Sequence, residues 1–159
     1  EDEQYKVAKV VEKVYDCFVI RSAELYLNKA EAEAMLDKAE AKQTIKTLLN
    51  NRFEGGIPDV DGLNEKDLIS FIRDERRREL CFEAHRWFDL RRYAVSSKYP
   101  EKKSIRHETY DKNGVLEGDY VLKPYGEDPA WVLPIPGYEI VYNQGNLVDN
   151  PQRVEMKLE

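Results

Sequence analysis

A chain of 159 residues, 42% of them hydrophobic, is long enough to bury an apolar core and too apolar to be disordered throughout. Charged residues reach 35%, above the ~25% of an average soluble domain, and leave a formal net charge of -6. That acidic balance lacks the basic footprint a nucleic-acid partner needs, and no run approaches the ~20 apolar residues of a membrane-spanning helix.

Residues 5–14 mix Val with Lys and Glu and read equally well as a strand or an early helix. After Asp16 the pattern becomes helical. Ala23, Leu27, Ala30 and Ala34 recur at steps of four, three and four, which makes one apolar stripe, and its alanines let a second helix approach closely. A break at Asp37-Lys38 precedes a second amphipathic run carried by Ala41, Ile45, Leu48 and Leu49. Asn50-Asn51 and Gly55-Gly56-Ile57-Pro58 end it, since glycine and proline stop helices by opposite backbone means. Two helices on a short connection predict a helical hairpin, the unit from which helical solenoids are built.

Asn64 is a good N-cap for a third helix, with Glu65 and Asp67 placing negative charge in its first turn. Leu68, Ile72, Leu80 and Phe82 supply its apolar contacts. Its middle is ionic. Arg76 with Glu79, Glu79 with Glu83, and Glu75 with Arg78 are three or four residues apart and can meet. A continuing or kinked helix follows, where His85, Arg86, Trp87, Phe88, Asp89, Leu90, Arg91 and Arg92 mix aromatics with charges. Cys17 and Cys81 each sit beside a phenylalanine and read as small buried thiols, with their pairing left open.

Beyond Tyr99-Pro100 the character changes. Residues 105–110 and 115–122 flank Asp111-Lys112-Asn113-Gly114, and Asn-Gly between such runs predicts a β-hairpin. From Pro124 the chain is rich in proline and aromatics and is predicted to run extended, with a helical turn near Glu139 to Tyr142. The expectation is one domain over 1–159, helical over about 16–97, with the hairpin and extended region over about 98–159.

The chemistry-bearing residues point to binding rather than catalysis. Glutamates interleave Arg76-Arg77-Arg78, so the run reads as an ion-pair lattice between helices and not as a phosphate site. In that reading Arg76, Glu79, Glu83, Arg86, Trp87 and Asp89 are architectural. Motifs of serine hydrolases, Walker ATPases and zinc proteases are missing, and His85 and His107 lack a ligand companion at metal spacing, so neither cofactor nor metal is implied. Trp87 and Trp131 sit among apolar residues and read as core anchors. Tyr110, Tyr120 and Tyr125, in or near the hairpin, are the candidate ligand contacts, because an aromatic face with nearby polar groups can hold a ligand.

Three segments together resemble one family, the SusD-like (RagB/SusD) nutrient-binding proteins of Bacteroidetes. Residues 21–32, beginning Arg21-Ser22-Ala23-Glu24-Leu25-Tyr26-Leu27, are similar to its R-x-A-E-x-Y-L helix. Residues 75–92 resemble its E-R-R-x-E-L-x-F-E-G-x-R-W-x-D-L-x-R run. Leu133-Pro134-Ile135-Pro136 with Glu139, Asn143, Leu147 and Asn150-Pro151 resembles its C-terminal motif. Ala84 stands where the family has glycine, Asp149 where it has glutamine, and Gln152-Arg153 where it has Gly-Tyr.

The resemblance implies a mainly α fold: tetratricopeptide-like helix pairs with a small β-hairpin and an extended, proline-rich C-terminal segment. It also implies a non-catalytic subunit that binds a glycan or other nutrient oligomer at the cell surface. Such a subunit serves a SusC-type TonB-dependent transporter in the outer membrane. Members are longer than this chain, so the expectation is a C-terminal portion whose lipid anchor lies outside it; Cys17 has no hydrophobic signal region before it. The other class the residues allow is a helical-repeat scaffold that binds protein and no nutrient.

Overall fold

A computed structural model describes residues 20–151, and among these described residues there are five α-helices, one short 3-10 turn and one two-stranded sheet. The expectations for residues 5–14, Asp16, Cys17 and Gln152-Arg153 lie outside the described residues. The chain divides after Asp89 into two compact units.

In the first unit, α1 (Ser22–Met35), α2 (Glu40–Leu49) and α3 (Glu65–Glu79) form the core, with α1 packed on both α2 and α3. The predicted stripe is the buried one: Ala23, Leu27, Ala30 and Ala34 meet Ala41, Ile45, Leu48 and Leu49 within the core. Asp37, at φ 56, turns the chain between α1 and α2. Asn64 caps α3 as its side-chain oxygen accepts from the Asp67 amide at 3.0 Å. Leu68, Ile69, Ile72 and Leu80 are buried.

Two sequence readings fail at the end of α3. Phe82 is 70% exposed and Cys81 is exposed as well, instead of both entering the core. The cause is local. The helix stops at Glu79, and Phe82 takes φ 62 in a turn that leads into α4 (His85–Ala94). Helical periodicity therefore no longer governs which side chains face inward.

In the second unit, β1 (Ile105–Tyr110) pairs antiparallel with β2 (Leu116–Leu122). Pro129 starts a single 3-10 turn, Pro129–Trp131, whose cap is Asp128, and Trp131 is 2% exposed. Pro fits there because the first helical N–H would be unpaired anyway. Trp131 donates its indole N–H to the Lys123 carbonyl at 2.7 Å, so it is the anchor that its apolar neighbours predict. The short helix α5 (Gly137–Tyr142) follows Pro136. Asp149 accepts from the Ile135 amide at 2.8 Å and Asn150 donates to the Leu133 carbonyl at 2.8 Å. The carboxylate thus ties the tail to the Leu-Pro-Ile-Pro segment.

Candidate functional site

The ionic motif of α3 is turned inward. Arg76 donates through Nε to both oxygens of Asp89 at 2.9 Å, and through Nη1 to the Asn28 side-chain oxygen at 2.7 Å. The Arg76 and Asp89 side chains are 6% and 5% exposed. Arg73 meets Glu31 at 3.4 Å, also buried. Glu75 accepts from Arg78 at 2.7 Å, the pair its i,i+3 spacing predicts.

Glu79 is held from outside its own helix. Arg52 donates to its two carboxylate oxygens at 2.9 Å each, and Arg21 donates to one of them at 2.5 Å. Arg21 also caps the end of α3 by donating to the Glu79 carbonyl, and it reaches Glu83 at 2.8 Å. The hydrogen bonds from Arg52, and after them those from Arg21, outweigh burial and hold the Glu79 carboxyl below its ordinary value. Hydrogen bonding to Glu83, and then to Glu79, raises the Arg21 guanidinium above its ordinary value. Spacing within α3 pointed to neighbours along one helix and missed Arg21, Glu24, Asn28, Glu31 and Arg52. The first four stand in the segment 21–32, which carries one of the family-like motifs; nothing in the sequence marks Arg52.

Between α3 and α4 the backbone is strained. Phe82 and Ala84 both have φ 62, a region that favours glycine. The residues around this corner border an open cleft of about 550 Å³, which Phe82, Arg86, Trp87 and Phe88 help to line. Trp87 is half-buried there rather than a closed core anchor, and Arg86 is half-buried too.

The hairpin separates the candidate tyrosines. Strand alternation puts Tyr110 on the face that carries Arg106, Glu108 and Asp119, and Tyr120 on the opposite face, paired with His107. Tyr110 is 55% exposed and donates its hydroxyl to Glu108 at 2.5 Å. Arg106 joins that ladder through Asp119 at 2.6 Å and Glu108 at 3.0 Å. Hydrogen bonding to Glu108 pushes the Tyr110 phenol up, and hydrogen bonding to Arg106 holds the Asp119 carboxyl down. The turn beyond Tyr110 is fixed by Asp111, whose oxygen accepts from the amides of Val115 and Asn113 at 2.8 Å each. Tyr120 instead folds back over Gly118, where a Cβ would lie 2.5 Å from its ring. Tyr125 is half-buried, 5.2 Å under the Arg91 guanidinium and edge-on to Trp131 at 5.9 Å.

The three tyrosines therefore do not form one surface, and Tyr110 alone of them combines an open ring face with fixed polar neighbours. That arrangement can hold a ligand by ring contact and hydrogen bonds. Among the described residues no three His, Cys, Asp or Glu side chains gather as a metal site.

The SusD family model matches residues 7–152. SusD-like protein P2 of Formosa agariphila is 28% identical over 142 residues, which is 83% of this chain and 25% of that protein. SusD-like protein P38 of the same organism is 40% identical over 79 residues, covering 45% of this chain and 16% of its own. Among solved structures, a SusD-like protein from Bacteroides fragilis is similar over 80% of this chain and 24% of its own length, with 27% identity and a TM-score of 0.49. A SusD-like carbohydrate binding protein from Bacteroides vulgatus is similar over 81% and 29% of the two chains, with 24% identity and a TM-score of 0.47. The chain spans a quarter or less of the length of the curated relatives it matches.

Proposed function

We propose, given that the chain belongs to the SusD family, that it is part of a non-catalytic subunit that binds a neutral glycan. The subunit sits at the outer-membrane surface as a lipid-anchored protein and delivers its ligand to a SusC-type TonB-dependent transporter. The observation that carries the reading is the Tyr110 face of the hairpin. An exposed ring, with its hydroxyl fixed by Glu108 and the Arg106–Asp119 pair beside it, offers a stacking surface for a sugar's C–H face and partners for its hydroxyls. The carboxylates of the motif at 75–92 favour binding over hydrolysis. Glu79 and Asp89 lie in contact with arginines, whereas a glycosidase needs two acids facing a substrate across a cleft.

Calorimetric titration with a panel of soluble neutral oligosaccharides and a matched panel of peptides tests this. Heat from sugars, weakened about tenfold by Tyr110→Ala, is the expected result. Heat from peptides with silence across the sugars would replace it with the protein-binding scaffold.

A further inference from the structure

We infer that the Tyr110 face of the hairpin selects its sugar by charge: it takes neutral sugars, takes amino sugars more tightly and disfavours acidic ones, because its one cation is committed to two carboxylates. This deepens the glycan reading of the same face, on which it rests, by naming the class of sugar admitted.

Arg106 donates through Nε to both oxygens of Asp119, at 2.8 and 3.0 Å, and through Nη2 to Asp119 at 2.6 Å. The same Nη2 lies 3.0 Å from Glu108. Glu108 and Asp119 stand directly opposite one another across the two strands, a like-charge pairing that is unfavourable unless a cation bridges it. The other oxygen of Glu108 accepts from the Tyr110 hydroxyl at 2.5 Å. One guanidinium against two carboxylates leaves this face negative. Glu117, the β2 residue passed over where the register shifts beside Tyr110, is exposed and adds to that sign. In the adjoining turn Asp111 and Lys112 offset one another.

Donors and acceptors on this face are just as unequal. The Tyr110 proton and the Nε and Nη2 protons of Arg106 all point at carboxylates, which leaves Nη1 as the remaining side-chain donor of this group among the described residues. The carboxylate oxygens keep lone pairs that can accept more. A sugar must therefore bring hydrogens, as a hydroxyl or an ammonium does. An ammonium about 4 Å from the excess charge gains about fivefold in affinity even at the dielectric of water. An acidic sugar brings acceptors and a second negative charge instead. To engage the fork of Arg106 it would have to displace Asp119 and leave two opposed carboxylates unbridged.

The test is calorimetry at low salt with oligomers of glucose, galactose and mannose, each beside its amino-sugar and uronic-acid counterparts. A pH of about 6 lies below the α-amino range and keeps the sugar amines charged. For a backbone that binds, the amino counterpart is expected to bind about fivefold tighter than the neutral parent and the uronate about fivefold weaker. Both differences should shrink toward equality in ~1 M salt, where screening acts within about 3 Å. In the double variant Glu108→Gln, Asp119→Asn, the cation of Arg106 is left uncompensated and the order should reverse. The comparison among sugars on the unaltered protein stands even if that variant loses its hairpin. A uronate that binds the unaltered protein as tightly as its neutral parent, with Tyr110→Ala weakening both, would overturn charge selection and leave the glycan reading in place. An unreversed order in a variant that keeps its cross-strand NMR contacts would also overturn it. Silence across all three classes would remove the glycan reading itself, and charge selection with it.

Discussion

Arg76 and Asp89 are thirteen residues apart, on either side of a broken helix, and meet in a two-oxygen contact at 2.9 Å with both side chains almost out of water. A guanidinium and a carboxylate in that setting are worth little as a net gain over apolar packing, yet removing either one strands the other. Asp89→Ala is expected to cost about 3–5 kcal/mol. The double variant Arg76→Met, Asp89→Leu should recover much of that loss, because it removes both charges together. Urea denaturation midpoints of the single and double variants check this; a double variant no better than Asp89→Ala would contradict it.

Glu79 links α3 to Arg21 and Arg52, and its carboxyl is held below the ordinary value by those hydrogen bonds. Glu79→Ala should cost about 2–3 kcal/mol, less than a wholly buried pair, because Arg52 is 39% exposed and its share is screened by water. Glycan affinity should not change. A depressed carboxyl contributes stability above its unfolded value, near 4.5, and loses it as pH falls through the lower folded value. The stability gap between the parent chain and Glu79→Gln should therefore be full at neutral pH and shrink as pH falls below about 4.5 through the lowered folded value. A gap independent of pH would contradict the lattice.

Ala84 occupies a left-handed conformation where the family motif carries glycine. Glycine takes that conformation without the steric cost of a Cβ. Ala84→Gly is expected to raise stability by about 0.5–1 kcal/mol, read as a melting temperature higher by about 1–4 °C. A lower melting temperature would show that the turn is held some other way.

Gly118 has no room for a side chain, because the Tyr120 ring lies across it. In Gly118→Ala the ring is the softer partner and should swing outward, while the pairing of Thr109 with residue 118 persists. The expected NMR signature is a large change in the Tyr120 ring shifts with the cross-strand contacts retained. Loss of the hairpin's contacts would mean that the ring holds the strand in register.

The helices were legible in the sequence because burial and period coincide there: Ala23, Leu27, Ala30 and Ala34 face inward as spaced, and Asn64 caps α3 as its type implies. The reading broke where the backbone left the helical region. Helical period points Phe82 inward and its neighbour Cys81 with it, but that period ends at Glu79. Arg52 reached Glu79 across 27 residues, a pairing set by tertiary packing that no local spacing records. At the hairpin, Asn113-Gly114 gave the turn, but only the register reveals that Tyr110 and Tyr120 lie on opposite faces.

In the proposed division of labour, a charged motif locks helices and a hairpin face binds. An NMR titration of the labelled protein with a neutral oligosaccharide, drawn from those that give heat, reads both at once. Shifts should cluster at Tyr110, Glu108 and Arg106 and leave Arg76, Glu79 and Asp89 unmoved. Shifts concentrated at Trp87 and Phe88 in the cleft, with the hairpin silent, would contradict it.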